Sequence, residues 1–327
     1  MALAAVALQQ QMIPYLIGVG RKPPISNLAE LITSPKSAYS IRNDASTKTI
    51  DLDFHEPTYI VSALAADSAR LSCAAFQTVA HVTTTMDNRD AAAWSLIKLY
   101  YAAFYSAHAT LRLLGEACTF LYPEQINRLN QLMVAQATSA RTILEKGLYH
   151  CRLSVDSKVV SCKPVGSRSG GTHEAFWKVF GNKITEVSSN VLSSRLTSVE
   201  AQLVFSRLSQ LLDVLKRKAG NNYSWLSQMR NDLQYRLQFG VWYPQKLQQQ
   251  SRSGLVRLAE QWKSDPLSIE ITQHNLGPLG DFVAASVFLI GLCRDLLTHI
   301  GDRSSEGKNS FVRAGPLAFI NDIATKC

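Results

Sequence analysis

WSLIKLYYAAFYSAHATLRLLG, residues 94–115, carries apolar and aromatic side chains at Trp94, Ile97, Tyr101, Phe104, His108 and Leu111, three or four positions apart. That spacing puts them on one stripe of a helix. A second stripe runs through Leu96, Tyr100, Ala103, Ala107 and Leu114. With two apolar stripes, and alanines small enough to admit a close neighbour, the segment is predicted to be a central helix packed on two or more sides.

The flanking sequence supplies the neighbours. Upstream, a helix is expected from Pro57 to about Thr84, with Ile60, Leu64 and Leu71 as its core stripe; Asp87 or Asn88 then caps the central helix. Downstream, Pro123 opens a helix through Ile126, Leu129, Met133, Ala137, Ala140 and Leu144, ending at Gly147 and antiparallel to the central one. Further helices are expected along Val204, Leu208, Leu211 and Leu215, with Thr197 and Glu200 as a capping box, and around Leu255, Leu258 and Trp262. The last long one carries Leu279, Phe282, Ser286, Leu289, Cys293, Leu296 and Ile300 in heptad-like spacing.

Strand patterning is confined to two places. TIDLDF, Thr49–Phe54, alternates Ile50, Leu52 and Phe54 with two aspartates and is expected to pair with Ala38–Arg42 across Asn43 and Asp44. Cys151, Leu153 and Val155 alternate before a turn at Asp156 and Ser157, predicting a β-hairpin inserted between helices. The fold class is therefore mainly α: an antiparallel helical bundle over residues 57–302 with a small inserted hairpin at about 148–172. An irregular N-terminal arm, 1–56, precedes it and a tail, 303–327, follows; Pro23, Pro24 and Pro35 rule out continuous helix in the arm.

Composition bounds the function. The 327 residues are 46% hydrophobic, enough for one large core or two smaller ones, and 34 Lys and Arg against 25 Asp and Glu leave a charge of +9. Such a surplus attracts nucleic acid, nucleotides or an acidic protein, or is spread over solvated faces. The six cysteines form no CxxC pair, so free thiols in a reducing compartment are expected, without a zinc site; no other metal or cofactor constellation is evident. MALAAVALQQQMIPYLIG lacks a preceding basic residue, which makes a poor signal peptide, and the run Phe282–Cys293 is too short to cross a bilayer. A cytoplasmic chain without membrane contact is expected.

The most informative polar cluster is WLSQMRNDLQYRLQF, residues 225–239. If Leu226, Met229, Leu233 and Leu237 form the buried stripe, Arg230 lies beside Gln234 and Asn231 beside Tyr235 on one flank, with Asp232 and Arg236 as an exposed ion pair on the other. A guanidinium, two amides and a phenol side by side offer donors for a phosphate or a base edge. Tyr101 and His108 of the central helix are candidates to face the same ligand, although a lone histidine there is more often a core residue. Lys163, Arg168 and His173 around the flexible GSRSGG segment are candidate phosphate contacts, weighed against a plain mobile connector. The cluster Phe176, Trp177 and Phe180 is predicted to be core.

LYYAAFYSAHATLRLLG, then RNDLQY, then FVAASVFLIGLCRDLL resemble the order of elements in HEPN proteins, over roughly residues 60–300. These are helical proteins, found largely in prokaryotes, with many members in toxin–antitoxin, CRISPR-associated and anti-phage systems. The resemblance implies a metal-independent ribonuclease motif in which an arginine stabilises phosphate charge and a histidine four to six positions later moves protons. Arg230 and Asn231 match its opening, but Tyr235 stands where the histidine would be, and a phenol with a reference pKa of about 10 is a poor base at neutral pH. Arg294, Asp295 and His299 repeat the spacing on the last helix, a match that arises readily by chance. The resemblance thus implies a subunit that binds RNA or a nucleotide and regulates an effector or antitoxin protein encoded nearby, in a homo- or hetero-oligomer. The alternative is a ribonuclease toxin that takes its histidine from elsewhere in the fold.

Overall fold

The computed structural model describes residues 2–44, 48–88, 91–136, 143–154, 158–166, 171–242, 247–273 and 275–326. Two short helices, Leu3–Leu8 (α1) and Leu28–Thr33 (α2), occupy the segment expected to be an irregular arm. Ala4, Ala5 and Leu8 are fully buried, and α1 lies against the C-terminal half of the chain. The expected pairing follows as Tyr39–Asp44 (β1) and Thr49–Phe54 (β2), with Tyr39 opposite Phe54 and Ile41 opposite Leu52, but Asn43 and Asp44 are not its turn: they extend the strand, opposite Ile50 and Thr49. Pro57 opens Pro57–Val79 (α3), where its missing N–H costs nothing. The helix ends sooner than expected, and a separate turn of helix, Val82–Asp87 (α4), precedes the central helix Ala92–Leu113 (α5). Ala91, not Asp87 or Asn88, stands at the N-cap of α5.

The helix α5 is enclosed by α3 and α4, and by the later helices Thr172–Val191 (α7), Trp225–Gln234 (α9) and Gly277–Arg303 (α11). Both stripes are largely buried. Trp94 is the exception, 53% exposed, and its indole stands edge-on to Trp242 with centroids 5.5 Å apart. An ion pair locks α5 to α3: Arg112 Nε lies 2.7 Å from Asp67 Oδ2, with both side chains nearly inaccessible.

One strand went unpredicted. Glu116–Leu121 (β3) shows no alternation, because Glu116, Ala117 and Cys118 are all buried and both faces of this stretch are covered. It pairs with Gly147–Ser154 (β4), which pairs with Val159–Pro164 (β5), and β5 pairs with β2. The result is a five-stranded antiparallel sheet in the order β1-β2-β5-β4-β3. The hairpin of the N-terminal arm and the inserted hairpin thus share one sheet. The physical reason is edge satisfaction: β2 and β5 each leave an unpaired row of backbone donors and acceptors that the other fills.

Pro123–Ala135 (α6) ends well before Gly147; Leu144 is buried but not helical, and Ala137 and Ala140 lie outside the described residues. It packs on α2 and β1 and not on the central helix as expected. In the second half, Ser198–Lys216 (α8) carries the expected capping box at Thr197 and Glu200. Gln249–Glu260 (α10) and Pro316–Lys326 (α12) complete the helices, the latter placing the expected tail against α3. The apolar run Phe282–Cys293 belongs to the 27-residue α11, long enough to cross a bilayer by length alone. Its most apolar window is 89% buried inside the protein, so it is a core helix packed on α5. The chain is thus mainly helical with one small antiparallel sheet.

The cysteines at 73, 118, 151, 162 and 293 are free, and Cys151 faces Cys162 across β4 and β5 at 3.1 Å. Among the described residues no group of three or more His, Cys, Asp or Glu could hold a metal ion.

Candidate functional site

Leu226, Met229 and Leu233 anchor α9 in the core, which turns the next position, Arg230, over the open edge of α5. Leu237, expected as a fourth member of that stripe, is exposed: the helix stops at Gln234 and Leu237 has φ +51°. The Asp232–Arg236 ion pair forms on the outer flank as expected, at 2.9 Å.

Arg230 is 9% exposed. Its Cζ lies 5.4 Å from the ring centroid of Tyr100, 6.0 Å from Tyr101 and 5.8 Å from Tyr235. Gln234 Oε1 sits 3.5 Å from Nη1, at the limit of a hydrogen bond, and Nε has no partner. Among the described residues no carboxylate lies within 4.0 Å of this guanidinium. A cation withdrawn from water without a counter-ion is costly, and three π faces return only part of that cost.

The structure brings His173 to the same place from the start of α7. Its Nδ1 lies 2.7 Å from Tyr100 Oη, and its ring stacks on Phe104 at 4.2 Å. Trp177 Nε1 donates to the same phenol oxygen at 3.2 Å. Burial, reinforced by the Arg230 charge, pushes the imidazole pKa down to about 4, and burial pushes the Tyr100 phenol up to about 12. Both groups are neutral at pH 7. Trp177 fills one lone pair of the phenol; assigning the phenol hydrogen to Nδ1 then places the hydrogen of the neutral ring on Nε2. Arg230 and His173 then present donors and no acceptor charge, the chemistry of an anion site.

Around this pair the exposed edge of α5 carries Trp94, Lys98 and Tyr101, at successive turns of one helix face, with Tyr235 exposed beside Arg230. Aromatic faces interleaved with cations form a surface on which bases stack while phosphates are neutralised.

Other sequence candidates fall elsewhere. His108 stacks on Phe176 at 3.6 Å and takes Arg112 Nη1 at 3.2 Å; burial, then Arg112, hold its pKa well below the ordinary value. The Phe104 ring touches both His108 and His173, so His108 is a core residue one ring removed from the site. His299 hydrogen-bonds the Arg303 guanidinium, while Arg294 is spent on the carbonyls of Trp262 and Ser264 and on Asp295. The arginine-to-histidine spacing on α11 therefore assembles no shared site. Asn231 contributes its carbonyl to the amide of Tyr235 at 2.9 Å. Lys163 lines a separate cleft with His150, and Arg168 lies outside the described residues.

The union of His173, Tyr100 and Trp177 with Arg230 was not foreseen. Tyr100 and His173 are 73 positions apart, and no local pattern links them. Comparison of this chain with family models, with curated proteins and with solved structures finds no match.

Proposed function

We propose that this chain is a HEPN-like subunit of a prokaryotic immunity or toxin complex that holds an RNA or nucleotide phosphate at Arg230 and regulates a partner effector. The observation that carries the reading is the Arg230 guanidinium, nine-tenths buried, with an unpartnered Nε and no carboxylate within reach among the described residues. A phosphate supplies the missing charge, and Nε2–H of His173 supplies a second donor. Trp94, Tyr101 and Tyr235 favour a ligand that also carries bases.

One observation favours the ribonuclease reading: His173 provides, from another helix, the histidine that the Arg230 motif lacks. A neutral imidazole can take a proton from a 2′-hydroxyl, but a hydrogen held on Nε2 by the Tyr100 contact leaves no lone pair there, so binding is preferred. The test is a fluorescent single-stranded RNA incubated with the protein in a metal chelator. Retention of intact RNA, lost on Arg230→Ala, is expected; cleavage lost on His173→Ala would establish the enzyme. RNA and nucleotides left unbound by the wild-type protein would remove the proposal.

A further inference from the structure

We propose a second anion-binding site, for a small phosphorylated ligand of the nucleotide class, in the cleft between the sheet and α7. The cleft has a volume of about 490 Å³, within the range of roughly 300–1,000 Å³ typical of small-molecule sites. On the sheet side, His150 and Lys163 are directly paired residues of β4 and β5, so their side chains share a face. On the helix side, Lys178 and Asn182 are one turn apart on α7 and line the same space.

What sets this cleft apart is how its charges are distributed. Behind the cleft, His150 leads to Glu116, which is 2% exposed and receives His150 Nε2 at 2.7 Å, Arg152 at 3.0 Å and Lys183 at 3.2 Å. Glu186 takes up Lys183 and Arg152 as well, at 2.9 Å and 3.2 Å. The Glu174 carboxylate at the rim accepts from Asn222 Nδ2 at 3.0 Å. Glu116 and Glu186 are thus paired with cations, and Glu174, bonded to the neutral Asn222, is the one carboxylate of the described lining set against Lys163 and Lys178. Lys163 and Lys178 at the mouth have no carboxylate within 4.0 Å among the described residues. Two ammonium groups against one carboxylate leave the lining with a surplus of positive charge, which favours an entering anion. Val165 and Val179 line the same cavity, an apolar wall for a base or other ring, which a bare inorganic ion would leave unused.

The site is independent of the Arg230 reading, so the test uses the Arg230→Ala protein. Adenosine monophosphate titrated into it at low salt by calorimetry is expected to bind, with affinity falling about tenfold on Lys178→Glu and again on Lys163→Glu, one charge-assisted contact each. Both lysines are exposed, so unchanged melting temperatures should accompany the loss. Inorganic phosphate is expected to bind more weakly than the nucleotide. Absence of nucleotide binding by Arg230→Ala, or equal affinity in the double lysine variant, overturns the site; phosphate binding as tightly as the nucleotide overturns the ligand class.

Discussion

Replacing Arg230 with methionine separates what the guanidinium costs the fold from what it does for a ligand. Methionine keeps a flexible stem of similar reach and removes the charge. Withdrawing a guanidinium from water costs several kcal/mol after relaxation, and the three phenol rings, all between 5.4 and 6.0 Å from Cζ, return about 0.5–1 kcal/mol each at that range. The uncompensated remainder is about 1–3 kcal/mol, so Arg230→Met is expected to be more stable than wild type. Unfolding entropy of about 2.1 cal/mol/K per residue over 327 residues is about 0.7 kcal/mol/K, so the gain appears as a Tm rise of about 1.5–4 °C. Saturating wild type with single-stranded RNA at about a hundred times its Kd should raise its Tm by about 4 °C, and the methionine variant should show no such rise. The assay is scanning calorimetry of both proteins with and without RNA. A lower Tm for Arg230→Met, with the RNA shift retained, would show that the guanidinium is a structural group and not a ligand contact.

Four further outcomes are expected. His173 has a folded pKa of about 4 against the ordinary 6.5, so the unfolded chain binds the proton more readily. Its contribution to stability is whole above about pH 6.5 and is lost as pH falls toward 4, a loss on the order of 2 kcal/mol after solvent screening; urea melts of wild type and His173→Phe should converge or cross over that window. By ring-proton NMR, Arg230→Ala should move the His173 midpoint upward, because one depressing charge is gone. Asp67→Asn strands the buried Arg112 charge and should cost about 3–5 kcal/mol in chemical denaturation; a loss under about 1 kcal/mol would mean the pair is hydrated. Gly181→Ala would place a Cβ 2.2 Å from the Tyr223 ring, forcing α7 off that ring at a cost of about 1–3 kcal/mol, and an unchanged Tm would show that the ring does not pack there.

Legibility followed the range of the interactions. The helices α5, α8 and α9 announce themselves because each carries a stripe along one side, and Thr197 with Glu200 marks a helix start within four residues. The hairpins were visible for the same reason: Ile50, Leu52 and Phe54 alternate with aspartates. Strand β3 was not, since Glu116 is buried by a salt-bridged cluster drawn from β4 and α7, and burial on both faces erases alternation. At the candidate site, the flank of Arg230 followed from helical rotation on α9, whereas the arrival of His173 depended on where the N-terminus of α7 docks. The end of α9 at Gln234, which frees Leu237 and Tyr235, also lacked a clear local signal, because the leucine spacing continues past it.

The position of β2 between β1 and β5 sets an order on synthesis. Asp51 and Ser161, hydrogen-bonded at 2.6 Å, are 110 residues apart, so the strand that closes the β2 edge leaves the ribosome long after β2 itself. Until then the nascent hairpin carries an open edge and the uncovered side chains of Ile50, Leu52 and Phe54, the combination that recruits other strands. Fragments that stop before β5 should therefore aggregate where the full chain does not, and deletion of the first two strands should pass the same exposed edge to β5.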